Sequence, residues 1–210
     1  MNKKEYDLEE KKKYEKLFYD KGQFLIGGAD EVGRGPLAGP VVCACVILPF
    51  DCKIVGIDDS KKLSEKKREL LYDEILKQAV AYDIEYVFED VIDEINILQA
   101  TKLCMSRAIN NLKVKPDVVL VDALSGLDTN CEIFPIIHGD ALSYSIGASS
   151  IIAKVSRDRY MKELDKKYPM YGFEKNKGYG TKAHMDALRQ YGPCPVHRKS
   201  FIGFLEKWYE

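Results

Sequence analysis

The sequence lacks the features that mark membrane, secreted and zinc-binding proteins. No apolar run reaches the roughly 18–20 residues that cross a bilayer, and the N-terminus is too polar and too rich in acidic residues to resemble a signal peptide. The six cysteines form no C-x-x-C pair, and the three histidines give no zinc-ligand spacing with them. We therefore predict a cytoplasmic protein, without a membrane segment, whose thiols are reduced and buried.

The chain also has almost no net charge, because 32 Lys and Arg residues balance 33 Asp and Glu residues. The whole molecule therefore gives no sign of binding a polyanion. The charges are unevenly distributed along the chain, however. Residues 154–199 hold twelve basic against five acidic side chains, with tyrosines and glycines among them. Such a stretch is usually only a solvated face, although its aromatic residues also suit a nucleic-acid surface.

With 210 residues, 46% of them hydrophobic, the chain is long enough for one domain with a substantial core. Periodicity predicts strands at 24–30, 41–48, 81–88, 117–122 and 133–137. It predicts helices at 5–20, 65–79, 93–112, 143–167 and 181–191, and a last amphipathic helix from residue 200. Strands that alternate with helices indicate an α/β domain with a mixed sheet, and we expect the helical last third to pack at one end.

Acidic residues stand at the ends of three predicted strands. Asp30 ends the first strand and Glu31 follows it, Asp122 ends another, and Asp140 comes shortly after the last. If these strands are neighbours, their acids converge at one edge of the sheet, where a divalent cation would relieve their repulsion. Ligands that are all oxygen favour Mg²⁺ or Mn²⁺ over zinc. The alternative is that these aspartates simply end strands at exposed turns.

Asp30 and Glu31 pose a geometric conflict, because consecutive residues of a regular strand point to opposite faces. A kink at the glycines that follow would let both side chains face the same site. Alternatively, Glu31 would contribute its backbone carbonyl.

A glycine-rich turn follows these two acids. Residues 33–38 formally fit the dinucleotide-binding fingerprint, but that fingerprint must open a helix. Residues 40–48 are strand-like, which excludes a dinucleotide site, and the absence of G-K-[ST] excludes a P-loop. What remains is a flexible turn whose backbone N–H groups can approach a polar ligand closely.

Eight sequence motifs follow one another between residues 27 and 201. They are DEVGRGPLAGPVV at 30–42, DSKKLS at 59–64, LVD at 120–122, GD at 139–140, SIGASSIIAKVSRD at 145–158, YPMYG at 168–172, NKGYGT at 176–181 and HRKSF at 197–201. In this order and spacing they closely resemble the motifs of type 2 ribonucleases H (the ribonuclease HII family). Type 3 enzymes carry an extra N-terminal domain and lack the Gly-Arg-Gly turn, so the roughly 25 residues before the first motif favour type 2.

The resemblance implies an RNase H-like mixed β-sheet flanked by helices, with a helical C-terminal extension. We expect an N-terminal helical segment at 1–22, a catalytic core at 23–167 and an extension that helps to bind substrate at 168–210, all in one structural unit. The implied activity is hydrolysis of the RNA strand of RNA/DNA hybrids and cleavage on the 5′ side of ribonucleotides embedded in duplex DNA. The implied products are a 3′-hydroxyl and a 5′-phosphate.

The resemblance also assigns roles to individual residues. The family's four catalytic acids, which hold two Mg²⁺ or Mn²⁺ ions, fall on Asp30, Glu31, Asp122 and Asp140. Its sensor of the ribose 2′-OH falls on Gly33, Arg34 and Gly35, and its substrate-stacking tyrosine falls on Tyr179.

Several nearby side chains keep two interpretations. Lys61 and Lys62 are either phosphate contacts or solvated. Tyr179 is either a core aromatic or a substrate contact. Its neighbour Lys177, which we also expect to contact substrate, favours the contact. The three histidines, at 138, 184 and 197, are expected to be structural or exposed, because none stands beside a credible nucleophile.

Two other classes of function compete with this one. A nucleic-acid-binding module without catalysis predicts the loss of one or more acids, yet all four are present. A junction-resolving or transposase-like nuclease would keep the acids but have no use for a 2′-OH sensor. We therefore expect a monomeric ribonuclease H whose partners are RNA/DNA hybrid and duplex DNA that contains ribonucleotides.

Overall fold

The computed structural model describes residues 8–208, and the side chains of residues 8–205. Residues 5–7 of the predicted first helix lie outside this range. The strands are β1 (Ile26–Val32), β2 (Val41–Ile47), β3 (Ala81–Val87), β4 (Val118–Asp122) and β5 (Glu132–Ile136). The helices are α1 (Lys13–Tyr19), α2 (Glu65–Gln78), α3 (Glu89–Asn110), α4 (Gly139–Leu142), α5 (Tyr144–Lys167), α6 (Phe173–Asn176) and α7 (Lys182–Tyr191).

In the described part of the chain the strands form one mixed sheet, in the order β3-β2-β1-β4-β5. β2 pairs antiparallel with both β1 and β3. β1, β4 and β5 run parallel to one another, so their carboxyl ends meet at one edge. The pairing of Ala29 with Val121 sets the ends of β1 and β4 side by side. The predicted α/β fold with a mixed sheet is confirmed.

Helices cover both faces of the sheet, because its central strands are apolar on both sides. β2 is fully buried, as its continuous β-branched and apolar sequence predicts. Cys43 and Cys45 face the apolar cluster that α3 completes, whereas Ala44 and Val46 face the cluster that α5 completes. All six cysteines are free thiols, and four of them are buried.

Helix α5 is the central helix and is buried on nearly all sides. Ile146, Ile152 and Met161 of this helix belong to three different apolar clusters. The helix lies directly on β1 because Gly28 has no side chain, and a Cβ there would overlap the carbonyl of Ser145. This close approach places α5 beside the first two acids.

Helix α1 packs against the start of α5 and the core. Phe18 is buried with Ile26 of β1. Glu15 is also buried, and it accepts hydrogen bonds from the hydroxyl of Ser143 at 2.7 Å and the N–H of Ser145 at 2.9 Å. A carboxylate from α1 therefore binds the N-terminus of α5, close to the segment that carries Asp140. None of the described helices is both long and apolar enough to span a bilayer.

Helix α3 begins four residues earlier than predicted, at Glu89, and is interrupted at Asn96. Asn96 has φ 67° and ψ 163°, and its Oδ1 accepts the N–H groups of Leu98 and Gln99 at 3.0 and 3.1 Å. Asn96 thus caps the second part of the helix. The prediction placed the start of the helix near this internal cap.

The C-terminal third packs around its own apolar cluster at one end of α5, with Phe173, Leu188 and Ile202 buried in it. The predicted amphipathic helix from residue 200 is wrong. The chain forms two short 3-10 turns there instead, Lys199–Phe201 and Gly203–Trp208.

A contact with α3 holds the first of these turns. Asp93 accepts the N–H groups of Lys199 and Ser200 at 2.8 and 2.9 Å, and also the hydroxyl of Ser200 at 2.5 Å. A carboxylate from a distant helix therefore caps the first turn, and no local signal in the sequence reveals this contact.

Candidate active site

The carboxyl ends of β1 and β4 bring two acids together at the sheet edge. Asp30 follows Ala29, which pairs with Val121, so Asp30 and Asp122 occupy equivalent positions of neighbouring strands. Side chains at equivalent positions share a face of the sheet. Asp30 is buried, and its Oδ1 accepts the N–H of Glu31 at 2.7 Å.

Asp140 reaches the same edge from a short helix, not from the end of a strand. Helix α4 begins after His138, which is in the left-handed conformation with φ 58°. Asp140 is buried, and its Oδ1 accepts the N–H of Ala141 at 2.8 Å. Oδ1 of Asp122 accepts the N–H of Gly139 at 2.8 Å, so the end of β4 is tied directly to the helix that carries Asp140.

Burial and mutual repulsion raise the pKa of three acids at this edge. The pKa of Asp30 lies well above its usual range, first because of burial and then because of the charge of Glu31. Burial also raises the pKa of Glu31, against the opposing charge of Arg34. Burial raises the pKa of Asp122, and the charge of Asp140 adds to the effect. The acids therefore form one cluster with an excess of negative charge.

A divalent cation fits this donor set. The ligands are carboxylate oxygens, which Mg²⁺ and Mn²⁺ prefer, and a cation would offset the repulsion that raises the pKa values. Asp122 and Asp140 are each oriented through Oδ1 by a backbone N–H, which leaves Oδ2 for another ligand. Among the described side chains no group of three or more His, Cys, Asp or Glu is already arranged to hold an ion.

Glu31 follows Asp30 on the same regular strand, so the predicted conflict between the directions of the two side chains is present. It pairs with Cys43, one residue along from Asp30, and β1 continues without a break to Val32. Its carboxylate lies 3.5 Å from Nη1 of Arg34, at the start of the glycine turn. The two modes predicted for Glu31, carboxylate or backbone carbonyl, stay predictions.

The turn at residues 33–35 lies opposite Tyr179. Gly33 has φ 95°, in the left-handed region that favours glycine. A Cβ at Gly35 would lie 3.6 Å from Cε1 of Tyr179, which is ordinary contact. Tyr179 is 44% exposed, so the core interpretation of this residue is wrong, and its ring stands at the surface across from the turn.

The two predicted lysine contacts differ in their surroundings. Nζ of Lys61 lies 3.8 Å from Oδ2 of Asp140, and the lysine side chain is 80% exposed. Nζ of Lys177 donates to the carbonyl of Glu174 at 2.6 Å. The structure therefore brings the ammonium group of Lys61 to the acids, whereas that of Lys177 is tied back to its own helix.

Sequence reasoning missed two buried arginines that bind the glycine loop from behind, Arg157 and Arg198. Both lie in the basic stretch, where a charged side chain is ordinarily solvated. No local pattern distinguishes a buried guanidinium from an exposed one, because the carbonyl groups that it binds come from distant parts of the chain.

His184 and His197 form a hydrogen-bonded pair behind Tyr179. Nδ1 of His184 lies 2.9 Å from the carbonyl oxygen of Tyr179, so this nitrogen carries the proton. Nε2 of His184 then accepts from Nε2 of His197 at 3.0 Å, and Nδ1 of His197 accepts the N–H of Cys194 at 3.0 Å. This chain of bonds requires both rings to be neutral.

Acid is expected to weaken the fold through this pair. Burial lowers the pKa of His197 from 6.5 to about 4, and it also lowers the pKa of His184. The unfolded chain therefore binds more protons than the folded chain, so the contribution is complete above pH 6.5 and is lost as the pH falls toward 4. From His197 we expect a loss of about 1–2 kcal/mol of unfolding free energy between pH 7 and pH 5.

Urea denaturation of the wild type and of His197→Gln at both pH values measures this effect. The glutamine amide can still donate to His184 but does not titrate, so the variant should lose less stability on acidification. The acids titrate in both proteins, and the comparison removes their contribution. Parallel pH curves would contradict the role given to His197.

Known proteins are similar to this chain in sequence and in fold. The model of a protein family described as Ribonuclease HII matches residues 27–203. The chain is 57% identical to the ribonuclease HII of Acetivibrio thermocellus over 188 residues. This aligned stretch covers 90% of this chain and 73% of that protein. The ribonuclease HII of Bacillus subtilis is likewise 57% identical over 188 residues, with 90% and 73% covered. The crystal structure of the ribonuclease H2 from Pyrococcus horikoshii OT3 is similar with a TM-score of 0.76 and 26% identity, over 88% of this chain and 99% of that one.

Proposed function

This chain belongs to the ribonuclease HII family, and we propose that it cuts on the 5′ side of ribonucleotides embedded in duplex DNA. It is a type 2 ribonuclease H, a nuclease that acts on RNA/DNA hybrids. In the proposed reaction a water oxygen bonds to phosphorus, and the bond between phosphorus and the 3′-oxygen breaks. The products carry a 3′-hydroxyl and a 5′-phosphate.

The observation that carries this proposal is an unpartnered turn directly beside the acids. The N–H groups of Arg34 and Gly35, and the carbonyl of Gly35, have no hydrogen-bond partner in the described chain. The turn begins two residues after Glu31, so a nucleotide bound at the acids would lie within its reach. A ribose 2′-OH donates and accepts hydrogen bonds, and a DNA sugar lacks it. Bare peptide groups at this position suit the recognition of a ribonucleotide.

We assign catalysis to the four acids Asp30, Glu31, Asp122 and Asp140, and propose that they hold two Mg²⁺ or Mn²⁺ ions. Bound divalent cations supply Lewis acidity and lower the pKa of a bound water. The part of this chain is to hold the ligands in place, since three backbone N–H groups orient the three aspartates. Their burial strengthens every electrostatic interaction at the site.

Tyr179 and two lysines complete the proposed substrate surface. The exposed ring of Tyr179 faces the turn and would stack on the recognised nucleotide. Lys61 brings a positive charge beside Asp140, where the scissile phosphate would bind. Lys177 would bind phosphates along the duplex, which positions the protein without reading sequence.

We propose further that the chain acts as a monomer in the cytoplasm, with an N-terminal segment at 1–22, a core at 23–167 and an extension at 168–210. The apolar cluster of the extension includes Met161 of α5 and Ala38 of the glycine loop. Because the extension and the core share this cluster, they would hold the substrate as one unit.

The direct test is incubation with Mg²⁺ and a DNA duplex that contains one ribonucleotide. We expect a single cut on its 5′ side, with a 3′-hydroxyl that a DNA polymerase can extend. The same duplex made only of DNA should stay intact, EDTA should abolish cleavage, and an RNA/DNA hybrid shows that the preparation is active. Equal cleavage of the two DNA duplexes, or a cut on the 3′ side of the ribonucleotide, would contradict the proposal.

A further inference from the structure

Two fully buried arginines lie behind the 33–35 turn. Arg157 of α5 and Arg198 of the C-terminal third are both 0% exposed. In the described chain all of their hydrogen-bond partners are backbone carbonyl oxygens. Burial without a hydrogen-bonded carboxylate disfavours the charged form, and it lowers the pKa of Arg157 to about 10 and that of Arg198 to about 9.

Arg198 binds the carbonyls of the turn itself. Its Nη2 donates to the oxygen of Gly33 at 2.6 Å, and its Nη1 donates to the oxygen of Arg34 at 3.0 Å. In a trans peptide the C=O of one residue and the N–H of the next point in opposite directions. Because these two carbonyls are held inward, the N–H groups of Arg34 and Gly35 are turned outward, where no group of the described chain binds them.

Arg157 joins the same loop to the segment that carries Tyr179. Its Nε donates to the carbonyl of Pro40 at 2.9 Å, and its Nη2 donates to that of Ala38 at 3.1 Å. Its Nη1 donates to the carbonyl of Lys177 at 2.9 Å. One guanidinium group therefore sets how far the glycine loop lies from the segment with Tyr179.

Gly33 packs directly against the guanidinium group of Arg157. A Cβ on Gly33 would overlap Nε of Arg157 and lie 2.7 Å from the oxygen of Pro40. The guanidinium thus occupies the space in which any other side chain would begin.

We propose that Arg157 and Arg198 are positioning residues for ribonucleotide recognition, which aim two N–H donors at the bound sugar and hold Tyr179 across from them. This inference rests on the proposed function of the turn as the 2′-OH sensor. Donors that strengthen their bonds in the transition state raise the rate, and a small displacement of such groups is costly. The competing explanation is that the arginines only satisfy buried carbonyls of an irregular loop.

Arg198→Lys tests the inference, because an ammonium group keeps the charge but lacks the planar fork that reaches several carbonyls. The substrates are two DNA duplexes, with one ribonucleotide or one 2′-fluoro nucleotide at the same position. For the ribonucleotide we expect kcat to fall about 10- to 100-fold with KM nearly unchanged. The ratio of the ribonucleotide rate to the 2′-fluoro rate should fall about tenfold.

Arg159→Lys is the matched control. It makes the same change on α5, the helix of Arg157, at a half-exposed side chain that pairs with Glu69. Neither the rate nor the ratio should change in this variant, and circular dichroism checks the fold of each protein.

The possible outcomes separate the explanations. A structural role alone would lower both rates by one factor and leave their ratio unchanged, which overturns the inference. If Arg198→Lys does not fold, Arg157→Lys is taken through the same comparison. If neither folds while Arg159→Lys does, the inference is also overturned, because the pair then maintains the fold and not the turn. If the wild type cuts both duplexes at equal rates, the proposed sensor fails, and the inference fails with it.

Discussion

Asp140→Asn is expected to slow cleavage at a ribonucleotide by about a thousandfold, which corresponds to roughly 4 kcal/mol of transition-state stabilisation. Asparagine keeps the Oδ1 that accepts the N–H of Ala141, so the geometry of α4 should survive. The change removes one negative charge and one ligand oxygen from the proposed cation site. Asp140 is only 7% exposed, so bulk water cannot replace the lost ligand freely.

The same substitution should not lower stability. The charge of Asp140 contributes to the raised pKa of Asp122, so its removal relieves repulsion between buried acids. The ion pair with Lys61 spans 3.8 Å to an exposed side chain and contributes little. We expect a melting temperature in EDTA equal to or above that of the wild type.

Asp73→Asn is the matched control, since Asp73 is exposed on α2. It should change neither the single-turnover rate in Mg²⁺ nor the melting temperature. A folded Asp140→Asn protein that cleaves at a near-normal rate would remove Asp140 from the catalytic set.

Gly35→Ala is expected to reduce kcat at a ribonucleotide by about a hundredfold while affinity for the duplex changes little. The new methyl group would have ordinary contact with Tyr179 at 3.6 Å, so the fold can accommodate it. The methyl group would, however, stand between the turn and the ring, where we propose that the sugar binds. Kinetics with a single-ribonucleotide duplex in Mg²⁺, and affinity measured in Ca²⁺, separate the two effects.

Gly33→Ala gives the contrasting result that makes this prediction specific. Gly33 has φ 95°, and a Cβ there would overlap Arg157, so the variant should melt at a lower temperature than Gly35→Ala. If Gly35→Ala melts normally and still cleaves as fast as the wild type, the turn is not the sensor.

Substitutions of Tyr179 test the other side of the proposed sugar-binding gap between the turn and the ring. Tyr179→Ala should reduce turnover, and Tyr179→Phe should be milder if the ring face makes the contact. The exposed position of this ring means that neither substitution should disturb the core.

Local patterns were sufficient for most of the secondary structure. Helix α2 begins at Glu65, as predicted, and the hydroxyl of Ser64 just before it accepts the N–H of Lys67 at 3.3 Å as a local cap. Strand β2 was evident from one continuous apolar run. These elements depend on neighbours within a few residues. The last predicted segment forms 3-10 turns and not a helix, and its first turn binds Asp93, a residue of a distant helix that no local pattern reveals.

The sequence also contained the catalytic candidates but not their arrangement. Acids at the ends of predicted strands indicated a shared edge, and the parallel pairing of β1 with β4 puts Asp30 beside Asp122. The way in which Asp140 reaches this edge could not be predicted, because it depends on the left-handed conformation of His138 and on the hydrogen bond from the N–H of Gly139 to Asp122.

The sequence by itself determined which groups this protein has available: four acids, a turn with glycine on both sides of Arg34, and an α/β pattern to carry them. Only the tertiary structure decided that Gly35 faces Tyr179 and that Arg157 and Arg198 are buried behind the turn. The physical reason is that composition and periodicity report what each segment can form with its neighbours. The direction of a peptide group, and the burial of a charge, depend on partners that folding brings from far along the chain.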